Sequence, residues 1–202
     1  MGDHMTKDKI KHEAMCLFAQ NGYNGTALAE IAKQVGIKTP SIFAHFKGKE
    51  DLFLSVFADL SWQEVSHVEQ IIENIEEATV EEKLSLIFHE TCRFYLQNEV
   101  RAEFLKRTML FPPDFLQDKI RERFITSEES LSQILREIFV AGIEAGVVRK
   151  EKTESLIAAY YCTIDGVFLQ MSYYGKDAMT QRLEAAWKNF WLGITNKQAQ
   201  ID

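Results

Sequence analysis

Residues 37–51 read IKTPSIFAHFKGKED. A proline stands near the start of a helical run, two phenylalanines and a histidine follow, and two lysines bracket a glycine. Pro40 has no N–H to donate, and the first turn of a helix needs none. The spacing therefore makes Thr39 a cap and Pro40 the first helical position, with the helix running to about Lys47 and Gly48 ending it. Ile42 and Phe46, four residues apart, share one face of this helix. Ser41, Ala44 and His45, with Lys38 and Thr39 at the entry, are left facing outward.

The preceding residues supply the surface on which so small a helix packs. Ile10, Ala14, Leu17 and Phe18 form an apolar stripe that stops at Asn21-Gly22. Thr26 caps a second helix carrying Leu28, Ile31, Ala32 and Val35, and Gly36 ends it. Two short helices joined by a tight glycine turn, behind a packing helix, are the helix-turn-helix arrangement, here with its motif at about residues 27–46. In it the second helix enters the major groove of DNA. Ile42 and Phe46 are expected to close a small core with Phe18, Ile31 and Val35. The outward face has the small and hydrogen-bonding residues that a groove ~12 Å wide admits, with cations beside it for the phosphates. His45, Lys47 and Lys49 taken singly read equally well as surface residues; the set points to DNA.

Gly22-Tyr23, Gly25-Thr26, Ile31-Ala32, Val35-Gly36-Ile37 and the run from Ser41 to Phe53 together resemble the N-terminal DNA-binding domain of the TetR family of bacterial transcriptional regulators, over about residues 7–55. The resemblance implies phosphate contacts from Thr26, His45 and Lys49, and base or sugar contacts around Lys38, Thr39, Pro40, Ser41, Phe43 and Ala44, with Lys47 among the flanking cations. Two positions depart from the family's pattern. Phe43 stands where a tyrosine is usual, removing a hydroxyl contact to phosphate, and Pro40 stands where a glycine with a free N–H is common. The resemblance further implies a DNA-binding domain over 5–50, a ligand-binding and dimerisation domain over 51–202, a homodimer on double-stranded operator DNA, and no cofactor.

Helical spacing continues to the end of the chain and strand-like alternation is nowhere sustained, so the fold class is all-α. A helix from Lys49 to about residue 74 belongs to both halves, and further helices read at roughly 80–98, 100–110, 114–146 with a possible break at Thr126-Ser127, 153–174 and 177–196. Pro112-Pro113, Gly146 and Gly175 mark the breaks.

Ser155, Ala159, Cys162 and Gly166 make a small-residue stripe, and Leu183, Trp187, Phe190, Trp191 and Ile194 a bulky one. Doubled by two-fold symmetry, these two helices give a four-helix dimer seam; packing within one chain is the alternative. Phe94, Phe104, Met109, Phe111, Phe115, Phe124, Phe139, Tyr160, Phe168 and Met171 read either as core or as the lining of a site for an unidentified small hydrophobic ligand. His89, Cys92, Asp165 and Gln170 either orient that ligand or make structural hydrogen bonds.

Composition bounds the function. The chain has 202 residues, 46% of them hydrophobic, and a formal charge of −7. Residues 1–50 hold 7 Lys/Arg against 5 Asp/Glu, and the rest 16 against 25, so a mildly basic start precedes an acidic remainder. That excludes a protein that coats nucleic acid but leaves room for local phosphate contacts. The acidic remainder fits a cationic ligand or an ordinary solvated surface. Three cysteines without paired spacing indicate neither a disulfide framework nor a zinc site, leaving packed thiols or redox sensing. No apolar run approaches the ~20 residues that cross a bilayer, so a cytoplasmic protein without a membrane partner is expected. Met1 to His4 read as a vector-derived remnant ahead of Met5. No G-x-S-x-G, H-E-x-x-H, P-loop or dinucleotide motif is present, so neither catalytic residues nor a metal are expected. The reading is a repressor released from a palindromic operator by a small hydrophobic ligand, the alternative being control by a protein partner.

Overall fold

The computed structural model describes residues 2–73, 75, 77–174 and 176–196. Among them the chain forms α1 (Gly2–Asn21), α2 (Leu28–Val35), α3 (Thr39–Ile42), α4 (Lys49–Glu73), α5 (Val80–Leu96), α6 (Glu99–Leu110), a 3-10 turn (Asp114–Leu116), α7 (Gln117–Glu144), α8 (Thr153–Gln170) and α9 (Lys176–Ile194). The all-α expectation holds: the described residues contain no strand, only an isolated bridge between Val148 and Thr195. Each boundary has a local cause. Gly22, Gly36 and Gly146 adopt positive φ after α1, α2 and α7. Thr79 caps α5 by accepting the Glu82 N–H while the Glu82 carboxylate accepts from Thr79. α7 runs unbroken through Thr126-Ser127, whose hydroxyl at Thr126 bonds back to the Glu122 carbonyl instead of interrupting the helix. α1 begins at Gly2, so the helix takes in residues ahead of Met5.

The chain divides into two compact units, and the division is not sequential. One unit comprises residues up to Gln63 with Asn98–Thr126; the other comprises Glu64–Gln97 with Ser127 onward. This differs from the expected boundary near residue 50. α6 explains it: Ala102, Phe104 and Leu105 are buried, and the Phe104 ring lies 6.4 Å from Phe18 of α1 and 5.4 Å from Phe53 of α4. The first unit thus needs α6 to complete its core around Ile10, Ala14, Phe18, Ile31, Ile42, Phe46, Leu52 and Phe53.

The second unit closes on Leu84, Phe88, Cys92, Phe139, Tyr160, Ile164, Met179, Trp187 and Trp191. Tyr160 is fully buried, and its hydroxyl donates to the Leu84 carbonyl at 2.7 Å, so the polar end is satisfied. Tyr95 does the same with Glu64 at 2.8 Å.

Candidate nucleic-acid interface

α2 and α3 are set by backbone geometry before any side chain faces outward. Gly36 takes φ 78°, its N–H donates to the Lys33 carbonyl, and the Ile37 N–H donates to the Ala32 carbonyl at 2.9 Å. These two bonds close α2 and turn the chain sharply into α3. Lys38 is the N-cap of α3, so Thr39 and Pro40 fill its first two helical positions, one residue earlier than the spacing predicts. α3 is also shorter than expected. After Ile42 the N–H groups of Phe43, Ala44 and His45 donate to the carbonyls three residues back, a tight 3-10 pattern that ends where Lys47 N–H meets the Asp51 carboxylate at 2.9 Å.

Ile42 and Phe46 are buried, which fixes the rotation of this segment. Lys38, Pro40, Ser41, Phe43, Ala44 and Lys47 are exposed, and Thr39 and His45 half-exposed, on the remaining surface. The structure therefore brings eight of the ten expected DNA-contact residues onto one exposed segment.

Thr26 and Lys49 do not join them. Thr26 is 2% exposed, and its hydroxyl donates to the carbonyls of Leu17 and Gly22 at 3.1 and 2.8 Å. It locks the end of α1; the N-cap of α2 is Ala27, whose N–H is taken by the Glu30 carboxylate at 3.0 Å. Lys49 turns inward, donating to the carbonyls of Tyr23 and Thr26 at 2.9 Å each, with its ammonium 4.3 Å from the Tyr23 ring centre. A cation so held braces the α1–α2 turn, with two of its three N–H groups on backbone carbonyls. Lys7, by contrast, was not on the expected face. Its ammonium stands 5.7 Å above the Phe46 ring, beside the end of the α3 segment. Its position three residues before Ile10 continues the buried stripe of α1, a signal available in the periodicity.

The candidate ligand-binding residues His89, Cys92, Met109, Phe111, Asp165 and Gln170 do not gather in one pocket. Met109 and Phe111 belong to the first unit, and Phe111 is 80% exposed at the edge of a pocket of about 270 Å³ walled by Phe18, Tyr23, Phe53 and Arg107. In the second unit Cys92 is 1% exposed, and burial, with a smaller effect from Glu64, pushes its thiol up to about 12. Asp165 and Gln170 are exposed on α8, and Gln170 accepts from Arg182 at 2.8 Å. His89 bonds the Ser85 carbonyl at 2.7 Å and faces Glu184 at 3.3 Å. It also lines an open groove of about 990 Å³ with Ile75, Leu86 and the glutamates 73, 77, 81 and 82. Among the described residues no group of three or more His, Cys, Asp or Glu side chains is placed to hold a metal ion. No described helix is long and apolar enough to cross a membrane.

The expected seam residues also separate. Ser155, Ala159 and Cys162 are exposed on α8, and a Cβ at Gly166 would meet nothing within 4 Å. Trp187 and Trp191 are instead buried within their own unit, stacked on each other at 5.9 Å, and Phe190 packs on Tyr160 at 5.4 Å. The bulky stripe of α9 is spent on this chain's core; the small stripe of α8 is open.

Residues 10–56 match the family of bacterial regulatory proteins known as tetR, and they run from the middle of α1 through α2 and α3 into the start of α4. Over these residues the chain is similar to the regulatory proteins of that family. The chain is 38% identical over 79 residues to the fatty acid metabolism regulator protein of Bacillus subtilis (strain 168), an alignment covering 39% of this chain and 40% of that protein. It is 45% identical over 47 residues to the biofilm operon icaADBC HTH-type negative transcriptional regulator IcaR of Staphylococcus epidermidis, covering 23% of this chain and 25% of that one. The matched part is thus less than half the length of either relative. The fold extends further: the crystal structure of the transcriptional regulator FadR from Bacillus subtilis in complex with stearoyl-CoA superposes with a TM-score of 0.75 at 23% identity, over 92% of this chain and 98% of that one.

Proposed function

We propose that the protein is a homodimeric repressor that binds a palindromic operator through the exposed residues of the α3 segment and leaves it when a small hydrophobic molecule binds the second unit. The observation that carries this reading is the α2–α3 geometry, in which buried Ile42 and Phe46 leave Lys38, Pro40, Ser41, Phe43 and Ala44 facing outward beyond a turn closed by Gly36. The negative regulator among the relatives supports repression. The solved complex of a similar fold with stearoyl-CoA makes long acyl chains the first ligands to try. The scatter of His89, Cys92, Met109, Phe111, Asp165 and Gln170 favours a second reading, in which a protein partner relieves repression.

Selection of bound duplexes from random DNA, repeated with acyl thioesters and other hydrophobic compounds present, tests both. A two-fold symmetric sequence is expected, weakened roughly 5- to 150-fold by the effective compound. Linkage requires the operator to weaken that compound's binding by the same factor, measurable by calorimetry on protein with and without DNA. A symmetric site that no compound weakens moves the protein-partner reading ahead; an asymmetric site overturns the palindrome.

A further inference from the structure

The α3 segment exposes an apolar side chain that hydrogen-bonding recognition does not use. Phe43 is 56% exposed, whereas its neighbours Ile42 and Phe46 are 0% and 3% exposed. Crowding in the core does not explain this, because the same short segment buries both of its other large apolar residues. Pro40 and Ala44 are exposed beside it, so Phe43 is the centre of a small apolar strip. Its backbone is ordinary αR, with φ −70° and ψ −11°, and its N–H donates to the Pro40 carbonyl at 3.2 Å. The ring is therefore presented by regular geometry and without strain.

A phenyl ring has no donor or acceptor, so it can neither bond a phosphate nor read the polar edge of a base. Among the groups that base pairs show in the major groove, the one apolar feature is the C5-methyl of thymine. Ser41 and Lys38 on the same exposed surface supply polar readout and charge; Phe43 supplies neither, but it offers a flat apolar surface to that methyl. We propose that Phe43 reads a thymine methyl, making an A·T pair in each half-site a determinant of specificity. This rests on the operator-binding reading above.

The test uses the site obtained by selection. Each thymine is replaced singly by deoxyuridine, which removes only the methyl group. At one thymine per half-site, affinity is expected to fall about fourfold, the effect of exposing one buried methyl group. Phe43→Ala should bind the thymine and deoxyuridine sites equally, while Phe43→Leu, which keeps an apolar surface, should retain part of the difference. Placing cytosine and then 5-methylcytosine at that position should lose and restore affinity. Circular dichroism checks that each variant remains helical. If every deoxyuridine substitution is neutral on a site that the wild type binds, the methyl assignment is overturned and the regulator reading stands. If the discrimination persists in Phe43→Ala, another residue reads the methyl and the assignment to Phe43 is overturned. If no sequence is enriched at all, both fall.

Discussion

The Lys49 ammonium lies 4.3 Å from the centre of the Tyr23 ring while donating to the Tyr23 carbonyl at 2.9 Å. One side chain from the start of α4 therefore holds the α1–α2 turn by two backbone carbonyls and a ring. Lys49→Ala is expected to lower unfolding stability by about 2–4 kcal/mol, from charge-assisted hydrogen bonds and a cation–π contact that are not additive. Urea unfolding reads this directly. The slope of log K against log salt for DNA should stay unchanged; a drop of about 1 would show that Lys49 neutralises a phosphate after all.

Lys38 and Lys47 are the exposed cations of the α3 segment. Replacing either by Ala should weaken operator and non-operator DNA alike and reduce the salt slope by about 1. Ser41→Ala should instead change preference at one or two base pairs, by roughly 1–3 kcal/mol, at constant slope. Binding titrations at several salt concentrations separate the two kinds of residue.

Periodicity and punctuation made most helices legible: α2 ends where Gly36 stands, and α5, α6, α8 and α9 begin within one residue of expectation. They also gave the buried face of α3, because Ile42 and Phe46 repeat at helical spacing. What periodicity cannot give is the identity of the surface on which a stripe packs. Trp187 and Trp191 are apolar on one face whether that face meets Tyr160's unit or a second copy. Phe104 belongs in the first unit's core although it follows the end of α4 and all of α5, which lie outside that unit. Lys49 is a further case, since a lysine at a helix start looks solvated until two carbonyls from residues 23 and 26 are placed beside it.

Two glycines show the same contrast and can be tested together. Gly36 has φ 78° and open space at its Cβ position, so Gly36→Ala should cost about 1–2 kcal/mol through backbone strain alone, and Gly36→Asn less. Gly142 has no such φ, but a Cβ there would come within 2.7 Å of Val148 Cγ2 and 2.9 Å of Val80 Cγ1. These β-branched side chains turn with difficulty, so Gly142→Ala should destabilise by about 1–3 kcal/mol through overpacking. Urea midpoints of the three variants check both origins.

Buried acids set the alkaline limit. Cys92 titrates near 12 in the folded chain against an ordinary 9.0, and burial also holds Tyr95 and Tyr160 well above their ordinary 10.0. Above pH 9 the unfolded chain loses these protons first, so it binds fewer than the folded chain and stability must fall as pH rises. Unfolding midpoints between pH 8 and 11 should show that decline, and the Cys92→Ser variant a shallower one below pH 10. Cys92 should also resist alkylation at pH 8 until the chain unfolds, since its thiolate fraction is roughly one in ten thousand.

Gly166 decides whether the open stripe of α8 is the seam between two copies. With nothing within 4 Å of its Cβ position, and with a helical backbone, Gly166→Ala should stabilise the single chain by about 0.5–1 kcal/mol. A larger side chain starts from the same open space at Cβ in the single chain but would meet a second helix lying close. Gly166→Leu is therefore expected to keep its helicity while sedimenting as a monomer, and Cys162, one turn earlier on the exposed side, to become alkylated faster than in the unsubstituted protein. A monomer holds only one recognition segment. Two must stand ~34 Å apart to engage successive turns of the groove, so operator affinity should drop by roughly 10²- to 10⁴-fold while half-site binding persists. A Gly166→Leu protein that remains dimeric and binds its operator normally would place the seam elsewhere, because a leucine there would crowd any helix packed close against that stripe.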